Sequence, residues 1–165
     1  MWDNRAMRTF ERKQYLAVPI DQAWSFISNP RNLARITPPS LDFRIVSEVP
    51  EHVYEGLVIE YRVKPLLGIP VKWVSVINNI QEPYMFTDVQ LKGPYSYWKH
   101  IHTLNEVAGG VLMEDKITYK PPFDSVFPWT NDRVIRPHLN GIFDYRTVTL
   151  NNLFGEIRVE PESGS

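Results

Sequence analysis

The amino-acid sequence predicts an α+β fold in which an antiparallel sheet of about seven strands faces a long C-terminal helix. Three observations support this prediction. Hydrophobic and polar residues alternate with a period of two in successive runs between residues 41 and 120, as in strands with one buried face. Turn-forming residues separate these runs at hairpin spacing. Residues 137–154 then carry a hydrophobic stripe at helical spacing.

The N-terminal part of the chain predicts one strand and a short helical pair. Residues 8–18 alternate imperfectly and form the first strand, which Pro19 ends. Asp21 is a favourable N-cap residue, and apolar residues recur at helical spacing behind it as far as Asn29-Pro30. A further turn or two of helix is expected before Pro38-Pro39.

From residue 41 onward the hydrophobic period is that of a strand. Gly68-Ile69-Pro70 and Ala108-Gly109-Gly110 are turns between such runs, and Gly93-Pro94 is a third. Short connections of this kind predict an antiparallel sheet, since parallel strands need long crossovers. The predicted strands are residues 41–46, 57–64, 71–78, 86–92, 98–104 and 111–120.

The last part of the chain predicts a helix with one buried face. An irregular segment with apolar anchors follows Pro121-Pro122, and Pro137 is acceptable in the first turn of a helix. Gly155 ends the helix. The residues of its stripe are Leu139, Phe143, Arg146, Leu150, Leu153 and Phe154.

Composition indicates one globular domain, spanning residues 1–165 with a core at about residues 8–155. Lys+Arg 18 and Asp+Glu 19 nearly balance without a long run of either sign, which does not favour nucleic acid as a partner. The absence of cysteine excludes disulfides and cysteine-ligated metals. No apolar signal core follows Met1 and no run approaches the length of a membrane span. We therefore expect a cytoplasmic protein without membrane insertion.

The predicted strand at 98–104 has an unusual face, because two histidines share it with Trp98 and Leu104. If this face points toward the C-terminal helix, polar residues of three strands and of the helix converge beneath it. These polar candidates are Asp88, Gln90, His100, His102, Asp115 and Arg146. The aromatic residues expected beside them are Tyr61, Trp73 and Trp98.

Three interpretations of these polar residues stay open, because burying them costs several kcal/mol each without hydrogen-bond partners. They form a structural network, or they orient the polar end of a ligand, or a histidine–aspartate pair acts as general acid/base. The catalytic candidates in the last case are His100, His102 and Asp115. A one-residue slip of the strand would turn both histidines to solvent. The same three residues have donor types found in zinc sites.

Several motifs carry a resemblance to a known superfamily. They are Phe86-x-Asp88-x-Gln90-x-x-Gly93-Pro94-Tyr95, Trp98-x-His100-x-His102, Asp115-x-x-x-Tyr119 and Phe143-x-x-Arg146. With the order of elements, they resemble the START-like helix-grip superfamily, also called SRPBCC, which includes polyketide cyclases and the birch-pollen-allergen family. The resemblance extends from about residue 10 to residue 154. It implies a curved sheet wrapped around the C-terminal helix, with an internal pocket for a small, largely apolar molecule.

The first functional hypothesis is a binding protein for a small hydrophobic or amphipathic molecule, such as a lipid, held between sheet and helix. The second is a cyclase/dehydratase-like enzyme that uses the histidine–aspartate pair. The third is a non-catalytic interaction module that presents a sheet edge or the Pro-rich loop to a partner protein. We expect no cofactor and no metal, and the oligomeric state stays open. No phosphate-binding loop, metalloprotease helix motif or nucleophile elbow is present in the sequence.

Overall fold

The computed structural model describes residues 7–65, 68–124 and 126–157 of the chain. The predicted domain spans residues 1–165, and its end segments, 1–6 and 158–165, lie outside the described residues. The assignment of the whole chain to one domain therefore stays a prediction.

The described residues form a seven-stranded sheet, two α-helices and shorter helical segments. The strands are β1 (Arg8–Leu16), β2 (Arg44–Ile45), β3 (Val58–Val63), β4 (Val71–Gln81), β5 (Met85–Lys92), β6 (Tyr97–Val107) and β7 (Gly110–Lys120). The α-helices are α1 (Ile20–Ile27) and α2 (Arg136–Phe154). Tight 3-10 helices at Pro30–Ile36 and Pro39–Leu41 follow α1, and a π-helical turn at Asn131–Ile135 leads into α2.

The sheet has the strand order β1-β7-β6-β5-β4-β3-β2, and every neighbouring pair is antiparallel. Strands β2 to β7 are neighbours in the sheet in the order of the chain, whereas β1 pairs with the last strand. Helix α2 packs on the concave face of this curved sheet, and residues of both line a common cavity. The predicted α+β architecture, a curved antiparallel sheet around a long C-terminal helix, is confirmed.

The strand predicted at residues 41–46 is shorter in the structure. Leu41 closes a 3-10 helix, and Asp42 adopts a left-handed conformation with φ 44°, so that β2 keeps only Arg44 and Ile45. The Asp42 carboxylate lies 2.9 Å from Arg44 Nη2 and 3.1 Å from Lys64 Nζ. Its left-handed backbone is a conformation that aspartate tolerates better than most residues.

The helical pair also differs in detail from its prediction. Pro19 occupies the N-cap position of α1, and Asp21 lies in the first turn, where a negative charge favours the helix dipole. The second helix is a 3-10 helix, capped by the Asn29 side chain, which accepts from Arg31 N–H at 3.0 Å. The helix ends where Thr37 is extended, because a residue before a proline, here Pro38, is disfavoured in helical geometry.

Helix α2 buries the stripe that its sequence predicts, with one exception at its end. Leu139, Phe143, Arg146 and Leu150 are buried, whereas Leu153 is exposed. The buried arginine among apolar neighbours is the feature that connects the helix to the polar residues of the sheet. No helix within the described residues is long and apolar enough to cross a membrane.

The start of β7 depends on a glycine, which leads to a stability prediction. A Cβ atom at Gly110 would lie 2.0 Å from the carbonyl oxygen of Leu16 in β1. We expect Gly110→Ala to lower the free energy of unfolding by about 1–3 kcal/mol, measured by chemical denaturation. Gly141→Ala is the matched control, because a Cβ there meets nothing within 4 Å and alanine favours helix by up to about 1 kcal/mol. Equal effects of the two substitutions would contradict this account.

Candidate functional site

A cavity of about 180 Å³ lies between the concave face of the sheet and α2. Lining residues that keep partial exposure are Leu33 and Phe43 before β3, Trp73 on β4, and His138 and Ile142 on α2. The cavity therefore reaches solvent between these elements. An engineered apolar cavity of about 150 Å³ holds benzene, so this space suits a molecule of about one aromatic ring.

Most of the cavity wall is apolar or aromatic. Tyr95 contacts two tryptophans: its ring centroid lies 5.7 Å from that of Trp73 and 4.8 Å from that of Trp98. Phe43 packs on Tyr61 at a centroid distance of 5.3 Å. Such clusters form flat, rigid surfaces that suit a planar or hydrophobic ligand.

A stripe of polar residues crosses the sheet at the cavity, one or two from each of four strands, and only its middle members line the cavity. We call it the polar stripe; it consists of Ser75 (β4), Asp88 (β5), His100 and His102 (β6), and Asp115 (β7). The strand register produces it, because Asp88 is opposite His100 and His102 is opposite Asp115. Residues opposite one another on paired strands point to the same face.

Asp115 is the best-connected member of the polar stripe. Its Oδ1 atom lies 2.7 Å from His100 Nε2, 3.1 Å from His102 Nδ1 and 3.9 Å from Arg146 Nη1. Its side chain is 2% exposed. One buried carboxylate oxygen therefore holds together two strands and the C-terminal helix.

The two histidines are also held by aromatic neighbours. Their rings lie 3.8 Å apart, and Phe86 stacks on His102 at a centroid distance of 4.4 Å. The guanidinium carbon of Arg146 lies 4.6 Å from the ring centre of Phe143, within the range of a cation–π contact. Packing on both sides fixes the orientation of these polar groups.

The environment sets the protonation of the pair of His100 and Asp115. Burial by itself raises the pKa of Asp115, but the contacts from His100 and His102 outweigh burial and hold that pKa well below its usual range. Burial, followed by the charge of His102, lowers the pKa of His100 to about 3, against its hydrogen bond with Asp115. Asp115 is thus ionised, and its Oδ1 atom accepts a hydrogen bond from the Nε2–H of a neutral His100.

The other end of the polar stripe lacks such partners. Within the described residues, five buried side-chain atoms have no hydrogen-bond partner: Arg8 Nε, Ser75 Oγ, Asp88 Oδ1, His138 Nε2 and Arg146 Nε. Three of them belong to cavity-lining residues, namely Asp88, His138 and Arg146. Ser75 lies on β4, beside the strand that carries Asp88. Burial raises the pKa of Asp88, against the charges of His102 and Arg146.

The structure brings most of the predicted site residues to the cavity. Those that line it are Tyr61, Trp73, Asp88, Trp98, His100, His102 and Arg146. Asp115 lies behind the two histidines and does not line it. Whether any of these residues contacts a ligand stays a prediction.

Gln90 is the predicted site residue that the structure does not bring to the cavity. Its side-chain Nε2 donates to the carbonyl oxygen of Tyr95 at 2.8 Å, and Tyr95 N–H donates to Gln90 Oε1 at 3.4 Å. A Cβ at Gly93 would lie 2.3 Å from Gln90 Oε1. Gln90 therefore closes the turn between β5 and β6 and places the Tyr95 ring in the wall.

His138 is a lining residue that the sequence-based reasoning missed, as are Phe43 and Tyr95. A signal for it exists in the sequence, because His138, Ile142 and Arg146 are spaced by four residues and share one helix face. The proline before it indicates a helix start but not the direction of the side chain.

The cluster of His100, His102 and Asp115 places three potential metal-ligand atoms within 4.8 Å of one another. Two nitrogens and a carboxylate oxygen match the donor types of catalytic zinc sites. However, Asp115 Oδ1 is already at hydrogen-bond distance from His100 Nε2, and the positive charge of Arg146 lies 3.9 Å away. This arrangement fits a hydrogen-bonded network better than a cation site.

Comparison with known proteins supports the fold at low sequence identity. No protein-family model matches the chain, and no curated protein matches its sequence.

Among solved structures, the protein Ms6760 from Mycobacterium smegmatis is 18% identical, with a TM-score of 0.63 over 90% of this chain and 92% of that one. The crystal structure of Ara h 8.0201 is 18% identical, with a TM-score of 0.57 over 88% and 99%.

The di-domain ARO/CYC protein BexL from the BE-7585A biosynthetic pathway is 12% identical, with a TM-score of 0.68. The alignment covers 96% of this chain and 52% of BexL. These likenesses confirm the helix-grip fold that the order of elements predicts.

Loss of the carboxylate at one end of the polar stripe should lower the free energy of unfolding, and loss of the carboxylate at the other end should raise it. We expect Asp115→Asn to lower the free energy of unfolding by about 3–5 kcal/mol, because it removes the carboxylate that lies 3.9 Å from the buried Arg146 and contacts both histidines. Asp88→Leu should raise it by about 1–2 kcal/mol, because it removes a buried carboxyl group without a partner. Urea denaturation of both variants checks this contrast, and losses of similar size would contradict it.

The pKa of His100 predicts a pH dependence of stability. Between pH 6.5 and pH 3 the unfolded state binds this proton and the folded state does not, so the free energy of unfolding rises with pH in that window. We expect a loss of about 2–3 kcal/mol between pH 7 and pH 4. His100→Gln keeps an N–H donor for Asp115 but does not titrate, so its profile should be flatter. Superimposable profiles would exclude His100 as the cause.

Proposed function

We propose that this helix-grip protein binds a small hydrophobic or amphipathic molecule in the cavity between the sheet and α2. The apolar part of the ligand packs on the aromatic wall, and its polar end contacts the polar stripe and Arg146. One observation carries this proposal: buried polar atoms without partners border a cavity that is otherwise apolar.

A purely structural network explains the burial of Asp115 and the two histidines but not that of the remaining polar atoms at the cavity. The carboxylate of Asp115 has its partners within the protein, as such a network requires. Asp88 Oδ1, Arg146 Nε and His138 Nε2 have none among the described residues, and each such atom costs about 1–3 kcal/mol of stability. A ligand that hydrogen-bonds to these atoms recovers that free energy on binding.

The fold neighbours support the same proposal in general terms. BexL is an ARO/CYC protein from a biosynthetic pathway, and StfQ is another such di-domain protein, 11% identical and with a TM-score of 0.63. Their fold relation concerns architecture alone. The proposal for this chain therefore depends on its own cavity residues.

A second candidate function is a cyclase/dehydratase-like reaction with acid/base catalysis at His102. The observation in its favour is the 3.1 Å contact between His102 Nδ1 and Asp115 Oδ1, since a carboxylate behind an imidazole fixes its tautomer and orientation. His102 lines the cavity, whereas the low pKa of His100 makes that residue a weak base. In this candidate Asp115 positions His102 and does not touch the substrate.

A third candidate, protein interaction through the loop before α2, is favoured by exposed aromatic side chains. Phe123, Phe127 and Trp129 are 73%, 48% and 55% exposed, and the lining of the cavity includes none of them. They neither close the cavity nor fasten the loop to the body in this conformation. An interaction partner for this loop stays a prediction. The cytoplasmic location of the protein also stays a prediction.

The cavity can be tested by filling it. Ile142 lines it, so Ile142→Trp should abolish binding. Val148→Trp is the matched control because Val148 lies on the same helix and is 60% exposed. The readout is thermal stabilisation by a panel of one- and two-ring hydrophobic compounds, with mass spectrometry of molecules extracted from the purified protein.

A compound at about 100 times its Kd should stabilise the unaltered protein and Val148→Trp by about 2.7 kcal/mol, and Ile142→Trp not at all. Equal stabilisation of both variants would place binding outside the cavity. Absence of any extracted or stabilising compound would contradict the binding function itself.

A further inference from the structure

The unpartnered atoms at the cavity also carry information about the chemistry of the ligand. We infer that the ligand is a neutral molecule of about one aromatic ring, with a hydroxyl group that donates to Asp88 and an acceptor oxygen that receives the N–H of Arg146. This inference rests on the proposed binding function.

The Asp88 end of the polar stripe requires a hydrogen-bond donor. Asp88 lines the cavity, and its Oδ1 atom is buried without a partner among the described residues. A carboxylate oxygen is an acceptor. Ser75 on the neighbouring strand is fully buried and does not line the cavity, so the group that a ligand hydroxyl meets at this end is the Asp88 carboxyl.

The Arg146 end requires an acceptor. A guanidinium has only donors. Arg146 Nη1 faces Asp115 at 3.9 Å and the guanidinium carbon stacks over Phe143, which fixes the group in place. Its Nε atom is buried and has no partner within the part of the chain that the structure describes. A ketone, ester or similar oxygen satisfies it.

The charges around the cavity disfavour an ionic ligand. Arg146 and Asp115 are buried and of opposite sign, and Asp88 lies at the other end of the same stripe. A ligand anion meets the carboxyl group of Asp88, and a ligand cation meets the guanidinium of Arg146. Either ion also loses its hydration on entering an apolar cavity, so a neutral donor–acceptor molecule is the better match.

The shape of the cavity supports a planar ring. Its wall contains the ring cluster of Trp73, Trp98 and Tyr95, in which Trp73 and Trp98 are 5.2 Å apart and nearly perpendicular. With a volume of about 180 Å³, the space is close to that of the cavity of about 150 Å³ that holds benzene. A ligand with several fused rings requires the cavity to open.

A matched series of compounds tests this inference by titration calorimetry on the unaltered protein. The probe 4-hydroxyacetophenone has both groups, acetophenone lacks the hydroxyl, and 4-ethylphenol lacks the carbonyl. We expect each loss to weaken binding about 10-fold, the effect of one buried hydrogen bond. The charged analogues 4-hydroxybenzoate and tyramine should bind more weakly than the neutral probe.

Substitutions show which residue causes each ratio of dissociation constants between two compounds. Asp88→Leu should abolish the preference for 4-hydroxyacetophenone over acetophenone and keep its preference over 4-ethylphenol. Arg146→Met removes every N–H donor of the guanidinium, and it should abolish the second preference alone. Glu106→Leu removes an exposed carboxylate of β6 and is the control that should leave both ratios unchanged. If an Arg146 variant does not fold, the affinity ratios measured on the unaltered protein still decide whether the inference stands.

The outcomes separate this inference from the proposed function. Ratios near one, or a preference for either charged analogue, overturn the inference. If the series does not bind while other hydrophobic compounds bind in an Ile142→Trp-sensitive manner, the inference fails and the binding function stands. If no compound of any kind binds, the binding function fails with it. The two expected preferences in the unaltered protein, each abolished by its own variant where that variant folds, support the inference.

Discussion

The site depends on one buried carboxylate, that of Asp115. Burying a charge is unfavourable unless it is paired and hydrogen-bonded, and Asp115 meets this requirement with two histidines of the neighbouring strand and an arginine of α2. These contacts fix the register of β6 against β7, orient the ring of His100 and hold the guanidinium of Arg146 over the sheet. The orientation of the other polar groups at the cavity follows from this constraint.

The polar stripe is asymmetric, and the asymmetry separates structural from functional roles. At the Asp115 end hydrogen bonds and charges balance within the protein. At the Asp88 end, buried polar atoms of the described chain have no partner. Natural proteins keep few such atoms, and those that remain call for an explanation. The ligand that we propose for the adjoining cavity would supply one, at the expense of stability in the unliganded state.

Much of the fold could be predicted, because hydrophobic periodicity and turn residues are local signals. The six runs after residue 41, the long helix and the convergence of His100, His102 and Asp115 all follow from such patterns. The errors occur where local geometry overrides the pattern. Asp42 enters a left-handed conformation that cuts a predicted strand to two residues. Gln90 lies two residues after Asp88, as residues on one strand face do. Its side-chain amide, however, donates a hydrogen bond to Tyr95 in the turn and does not line the cavity.

The sequence by itself determined the order of elements, the face of β6 that carries both histidines and the buried stripe of α2, since each depends on residue spacing along one segment. Only the tertiary structure decided which polar atoms find partners. That outcome depends on how segments that are far apart in the sequence come together. For example, the Gln14 side chain in β1 donates to the carbonyl oxygen of Thr147 in α2 at 2.9 Å. It also depends on which side chains leave space between sheet and helix. Asp115 and Asp88 are therefore equivalent in sequence pattern and opposite in role, because one is surrounded by donors and the other borders a cavity.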